Sequence, residues 1–245
     1  MTNASLELCK AVNDALNWYR SRSRTLRSDL LVMDGFTSPM QRVLLNNICY
    51  RLKERCNYFE VGVFKGASLL SAGYCNQGKF TGMDNMSWPG AVPIEGLIQA
   101  DFSLAGSIDL IPPGVNVFFF DANGGDVTAA GHSLDRMDKV LADPFILIAD
   151  NWSCREIRQN IGSAINRLRW SKAAVWYLES EDDCDMDGWW NGWAVMVIEK
   201  KPSRSVSVLD HIEIKSGVPP LHDFAERRRR GFRSIKDYAN WDGVK

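Results

Sequence analysis

Tyr58-Phe59-Glu60-Val61-Gly62-Val63-Phe64-Lys65-Gly66-Ala67-Ser68 passes from a short apolar run through two glycines into a helical pattern. Such a run reads as a buried strand, a turn and a helix start, the opening unit of an α/β sheet. Gly62 permits a tight turn, and Gly66 lets the chain approach a ligand and a neighbouring strand without a Cβ clash. Ser68 falls in the first turn of the next helix, where free backbone N–H groups and a hydroxyl suit a carboxylate. In a doubly wound sheet, ligands bind at the carboxyl ends of strands where the strand order reverses. This bend is therefore the place to expect one.

The same alternation continues outward. Residues 79–83, 94–100, 115–120 and 144–149 predict four further strands, and 67–74 and 155–169 predict helices. Leu134, Met137, Val140 and Leu141 form another helical face. Strands that are apolar on both faces and alternate with helices predict a parallel sheet covered on both sides. Residues 173–178 and 193–199, joined by the acidic, tryptophan-rich segment 179–192, predict an antiparallel hairpin at the sheet edge. The expected fold class is α/β: a doubly wound, mostly parallel seven-stranded sheet with an antiparallel edge strand. Before the bend, Leu6, Val12, Leu16 and Tyr19 recur at helical intervals. Ser38-Pro39 then starts a second helix, with Ser38 as N-cap and Pro39 at the first position. Its stripe is Val43, Leu44, Ile48 and Leu52. Residues 1–55 read as an N-terminal helical cap, 56–202 as the core and 203–245 as a charged C-terminal extension.

Composition excludes several classes. With 29 basic and 30 acidic side chains, the net charge of −1 gives no global reason to expect nucleic acid or a membrane surface. No apolar run reaches the ~18 residues of a spanning helix, and no secretory signal is visible. The six cysteines, Cys9, Cys49, Cys56, Cys75, Cys154 and Cys184, show no CxxC pair. They suit reduced thiols in a cytoplasm, the expected location. A homo-oligomer is left open.

A dinucleotide fingerprint G-x-G-x-x-G fails here, because Phe64 stands where its second glycine would be. Glu60-x-Gly62-x-x-x-Gly66-x-Ser68 instead resembles motif I of the class I, Rossmann-like S-adenosylmethionine-dependent methyltransferases, most closely the catechol and macrocin O-methyltransferase groups. The resemblance implies that Glu60, Gly62 and Ser68 contact the methionine moiety, with Phe64 and Gly66 in the same cofactor loop. Asp84, twenty-two residues after Gly62, would accept the ribose hydroxyls. Asp101 would border the adenine, and Asp121 would stand beside the cofactor.

Asp121 ends the fourth strand, and Asp150-Asn151 end the fifth, on one rim of a parallel sheet. Two carboxylates and an amide oxygen are hard donors suited to Mg²⁺. In the catechol group an aspartate and an Asp-Asn pair at these places hold magnesium, which orients the acceptor hydroxyl and lowers its pKa. The expected metal ligands are Asp121, Asp150 and Asn151; the alternative is that both aspartates merely cap the following helices. Magnesium-dependent relatives often place Lys or His just after the fourth-strand aspartate, whereas this chain has Ala122-Asn123-Gly124-Gly125. His132 is the candidate base, Asp126 a weaker one, and Asp121 the catalytic carboxylate. With the acceptor's pKa lowered, no dedicated base is required.

Three further signals are discounted. Residues 183–188 match half of a calcium loop, but its twelfth position is Ala194. Trp189, Trp190 and Trp193 read as packing, or else as an aromatic wall over an acceptor. Arg227-Arg228-Arg229-Arg230 reads as a solvated helix face. The expected function is a Mg²⁺-assisted O-methyltransferase using S-adenosylmethionine on a hydroxylated small molecule such as a sugar or polyketide. The alternatives are a metal-independent N-methyltransferase and a non-catalytic cofactor-binding protein of the same fold.

Overall fold

Alternation along the apolar runs sets the layers of the computed structural model, which describes residues 1–21, 26–104, 106–121, 129–178, 192–200 and 214–215. Asp126, the segment 183–188, Trp189, Trp190 and Arg227-Arg228-Arg229-Arg230 lie outside the described residues. The strands are β1 (Asn57–Val61), β2 (Lys79–Asp84), β3 (Leu97–Gln99), β4 (Val115–Phe120), β5 (Leu141–Ala149), β6 (Ser171–Leu178), β7 (Trp193–Glu199) and β8 (Ile214–Lys215). They pair in the order β3-β2-β1-β4-β5-β7-β6-β8. Only β7 runs against its neighbours, β5 and β6. The fold is the expected mostly parallel, doubly wound α/β sheet.

Two features correct the sequence reading. The β6–β7 pair is antiparallel as expected, but β7 lies inside the sheet, between β5 and β6. Its neighbours on both sides explain why all seven of its residues are buried. The short β8 pairs parallel with β6 and makes an eighth strand within the C-terminal extension. Some boundaries also move. β3 begins at Leu97 because Gly96 turns with φ 82°, and a side-chain carbon there would sit 2.7 Å from the Phe80 carbonyl oxygen. Leu141 belongs to β5 instead of the preceding helix, which ends at Met137.

Side chains on alternate sides of each strand enter different layers. Tyr58, Val117, Phe119, Ile146, Ile148 and Val195 share one buried cluster with Val12 and Leu16 of α1 (Asn3–Ser21), Leu44 and Ile48 of α3 (Pro39–Leu52), and Leu69 of α4 (Ala67–Gly73). Phe59, Val61, Phe118, Phe120, Leu147 and Met196 face the other way, toward α5 (Ala129–Met137) and α6 (Arg155–Arg167). The first helices thus share one apolar core with the sheet. A short α2 (Ser28–Val32) lies between α1 and α3. α3 starts as its sequence predicts, with Ser38 and Gln41 closing a reciprocal capping box. No described helix is long and apolar enough to cross a membrane. Cys9, Cys49, Cys56, Cys75 and Cys154 are free thiols.

Phe118 is fully buried between Phe59 and Phe120, at ring-centroid distances of 6.1 and 6.4 Å. Phe118→Ala is expected to lower stability by about 3–5 kcal/mol in urea unfolding. A loss under about 1 kcal/mol would be inconsistent with a close-packed layer there.

Candidate functional site

The strand order reverses between β1 and β4. There the Asp121 N–H donates to the Val61 carbonyl at 3.0 Å, and the Asp150 N–H to the Phe120 carbonyl at 3.1 Å. These bonds set Gly62, Asp121 and Asp150 side by side on the carboxyl rim. After Val61 the chain bends sharply: Gly62, Phe64 and Gly66 take φ of 90°, 51° and 84°, and the Gly66 N–H donates to the Val63 carbonyl at 2.8 Å. A side-chain carbon on Gly66 would fall 2.3 Å from Ile94 Cδ1 and push that side chain aside, and the left-handed backbone there favours glycine. Phe64 holds a left-handed conformation that non-glycine residues seldom adopt.

Glu60 lies beneath the bend, fully buried. The Tyr58 hydroxyl donates to its Oε2, and the Ser68 hydroxyl to its Oε1 at 2.9 Å. Burial pushes its pKa up to about 8 despite those two donors. Burial, then the adjacent Glu60, also raises the Tyr58 hydroxyl well above its ordinary value. The Ser68 hydroxyl proton is therefore committed to Glu60 instead of waiting for a ligand carboxylate. α4 has only seven residues, too short for much of a macrodipole at its N-terminus.

Asp84 is also engaged. Its Oδ2 accepts the Val63 and Phe64 N–H groups, each at 2.8 Å, and its Oδ1 accepts the Met86 N–H at 2.6 Å. A carboxylate offers about four acceptor sites, so the acid expected to take ribose hydroxyls here clamps the bend with most of its capacity. Asp101 caps its own turn, accepting the Ser103 N–H at 2.7 Å and hydroxyl at 2.6 Å. That hydroxyl, first among several donors, holds its pKa below the usual carboxylate value. A bond from Asn85 to Asp101 draws it toward the end of β2.

The structure brings the expected metal ligands together. The Asp121 and Asp150 side chains share a hydrogen bond. The Asn151 amide donates to Asp150 Oδ2 at 2.6 Å, and the buried Trp193 indole donates to Asp150 Oδ1 at 2.6 Å. Burial, then the charge of Asp150, raises Asp121 well above its ordinary value, and burial pushes Asp150 up to about 6. Two acids crowded in a buried place, beside an amide whose oxygen and nitrogen exchange by a half-turn, have the donor chemistry of a hard divalent ion. Among the described residues, no group of three or more His, Cys, Asp or Glu is placed to hold a metal. An ion here would therefore rest on two carboxylates and one amide. Trp193 serves as core, against Phe119 at 5.0 Å, and as the donor that orients Asp150. Its position at the head of a strand hinted at packing, but its polar role depends on the reversed β7.

A shallow crevice, partly open to solvent and enclosing only about 10 Å³, adjoins the bend. Gly62, Phe64, Ser68 and Asp121 border it, and so do Gly35, Phe36 and Thr37, which the sequence reading missed. Their only signal was position, immediately before the Ser38-Pro39 helix start. Phe36 stacks on Phe64 at 4.9 Å and meets Trp88 edge-on at 5.9 Å, with Phe36 and Trp88 both exposed. His132 lies on α5, exposed and outside the crevice-lining residues.

No family model and no curated protein matches the chain. Among solved structures it is similar to an O-methyltransferase from Bacillus cereus in complex with SAH, at 16% identity over 78% of this chain and 91% of that one, TM-score 0.45. It is also similar to an S-adenosylmethionine-dependent O-methyltransferase from Thermotoga maritima, at 12% identity over 78% and 73%, TM-score 0.48. A third is a putative RNA methyltransferase from Pyrococcus horikoshii, at 11% identity over 78% and 100%, TM-score 0.47. Likeness of this degree carries no inference about chemistry.

Two measurements check the geometry of the bend. Asp84→Ala should cost about 1–3 kcal/mol, because it strands the N–H groups the carboxylate satisfies. It should also speed amide hydrogen exchange at Val63 and Phe64; unchanged protection there would contradict the clamp. Glu60 holds its proton more tightly in the fold, at about 8 against an ordinary 4.5. Its contribution to stability is thus full below about pH 4.5 and is lost as pH rises through about 8. Unfolding titrations should show a slope of up to about 1.4 kcal/mol per pH unit across that window, reduced in Glu60→Gln. Equal slopes for both proteins would mean that Glu60 is not the buried acid described.

Proposed function

We propose that the chain is an S-adenosylmethionine-dependent methyltransferase that methylates a hydroxyl group of a small molecule. The observation that carries this reading is the crevice at the β1/β4 switch point, walled by the Gly62–Ser68 bend and reached by Asp121. In this reading the donor's amino-acid tail lies against the bend. Its ammonium group draws the Glu60 carboxyl below into the charged form, because a nearby cation favours the carboxylate.

The acceptor ring rests at the aromatic mouth of Phe36, Phe64 and Trp88, which suits a planar or sugar-like molecule. Asp121 is the one ionisable side chain among the described crevice-lining residues, and it takes the hydroxyl proton once the proton it shares with Asp150 has been released. The hydroxyl oxygen forms a bond to the methyl carbon as the carbon–sulfur bond breaks, and its electron pair stays on sulfur as a neutral thioether. Holding oxygen, carbon and sulfur in line is the larger part of the rate gain, since the sulfonium is already a reactive donor. Magnesium, when held by Asp121, Asp150 and Asn151, supplies positive charge that lowers the pKa of the acceptor hydroxyl.

The test is turnover of S-adenosylmethionine with a panel of hydroxylated metabolites, read as S-adenosylhomocysteine formed. Turnover with at least one acceptor is expected, falling on addition of EDTA and by about 100-fold in kcat/KM in Asp121→Asn, equivalent to about 2.7 kcal/mol. Failure of the protein to bind S-adenosylmethionine in calorimetry would overturn the reading. Binding without turnover across the panel would leave a cofactor-binding protein, and full activity in EDTA would remove the metal.

A further inference from the structure

Arg42 stands in the first turns of α3, behind the loop that forms one wall of the crevice, and is only 3% exposed. Its Nε donates to Thr37 Oγ1 at 3.2 Å, and its Nη1 to the carbonyls of Leu30 and Leu31 at 2.8 and 3.3 Å. A guanidinium has five N–H donors. Those three bonds leave the Nη2 pair without an acceptor among the described residues. Nη2 lies just behind the crevice lining: an ideal side-chain carbon on Gly35 would sit 3.5 Å from it and 2.7 Å from Ala67 Cβ, and Gly35, Thr37 and Ala67 all line the crevice.

No carboxylate lies within ion-pair distance of Arg42 among the described residues. The acid whose charge reaches it, Asp34, is exposed and pairs instead with Lys65 at 3.2 Å. Burial lowers the guanidinium to a pKa of about 10, so it stays a cation at neutral pH. Buried charges in folded proteins are paired, because an isolated one forfeits its hydration. Across the crevice, the Ser68 hydroxyl is engaged in a hydrogen bond to Glu60. The wall carrying Arg42 is therefore the electropositive one.

We propose that Arg42 is the counter-charge for an anionic ligand group in the crevice. On the methyltransferase reading above, on which this inference rests, that group is the carboxylate of the donor's amino-acid tail. Arg42 then fixes which end of the donor enters against Gly35, and it makes the site select a carboxylate-bearing nucleoside over its decarboxylated form.

The experiment is calorimetric titration of the full chain with S-adenosylmethionine and with decarboxylated S-adenosylmethionine. Wild-type protein should prefer the former by about 10- to 100-fold, the yield of a charge-assisted hydrogen bond. Arg42→Met should abolish that preference, weakening S-adenosylmethionine by the same factor while moving the decarboxylated compound by less than about 3-fold. Equal weakening of both compounds would show that Arg42 only braces the loop, and would overturn the proposal while leaving the methyltransferase reading intact. Should Arg42→Met fail to fold, Arg42→Lys and the wild-type preference decide. A wild-type protein that binds both forms within about 3-fold overturns the proposal without any variant. Wild-type protein that binds neither compound refutes the methyltransferase reading, and this inference with it.

Discussion

A carboxyl group held in the apolar layer under a glycine bend constrains the whole carboxyl rim. Glu60 points to the same side of β1 as Tyr58, by the two-residue period of a strand, and that side is the one filled by α1, α3 and α4. An acid there needs polar company. Tyr58 supplies one hydroxyl from its own strand, and Ser68 must reach back with another. Only a tight bend returns Ser68 that far, which accounts for the left-handed backbone at Gly62, Phe64 and Gly66. Gly82, the register partner of Glu60, completes the requirement: a side-chain carbon there would lie 3.1 Å from Glu60 Cγ and 2.5 Å from Val63 Cγ2.

Each acid of the rim is stabilised differently, and the differences sort their roles. Asp84 is solvated by backbone N–H groups and holds the bend's shape. Glu60 is solvated by hydroxyls and keeps its proton to unusually high pH. Asp121 and Asp150 share a hydrogen bond, because two carboxylates cannot both ionise cheaply in a buried place. Such a rim accommodates added positive charge readily. The opposite wall carries a guanidinium with no carboxylate at ion-pair distance among the described residues, which on the proposal above suits negative charge. A zwitterionic amino-acid group satisfies both at once.

The strand–bend–helix unit was legible in the sequence because its signals are local: apolar period, glycine spacing and a serine just inside the helix. The convergence of Asp121, Asp150 and Asn151 was legible too, since parallel strands necessarily end on the same rim. Neighbour order was not. Period-two alternation marks 193–199 as a strand but says nothing about which strands flank it, so β7 was expected with its partner at the edge instead of between β5 and β6. The role of Asp84 was hidden for a related reason. An acid at a strand end accepts whichever N–H groups come nearest, and those belong to the neighbouring bend. Gly35, Phe36 and Thr37 join the crevice only because α3 packs on α4, a contact between elements that no local pattern encodes.

The reversal of β7 has a consequence for the chemistry of the rim. An antiparallel strand delivers its first residue, not its last, to the carboxyl ends of its neighbours, and the first residue of β7 is Trp193. Its indole therefore reaches Asp150 from the side of the core and occupies Oδ1, while Asn151 lies on Oδ2. Indole has one donor and no acceptor, so Trp193 fixes the plane of the Asp150 carboxyl without competing for its proton. Asp150 is held from behind, and Asp121 is the member of the pair that borders the crevice. An acid pinned by two donors and paired with a second acid at the crevice lets their shared proton be held close to the crevice. The sheet's topology thus decides which of two neighbouring aspartates faces the crevice.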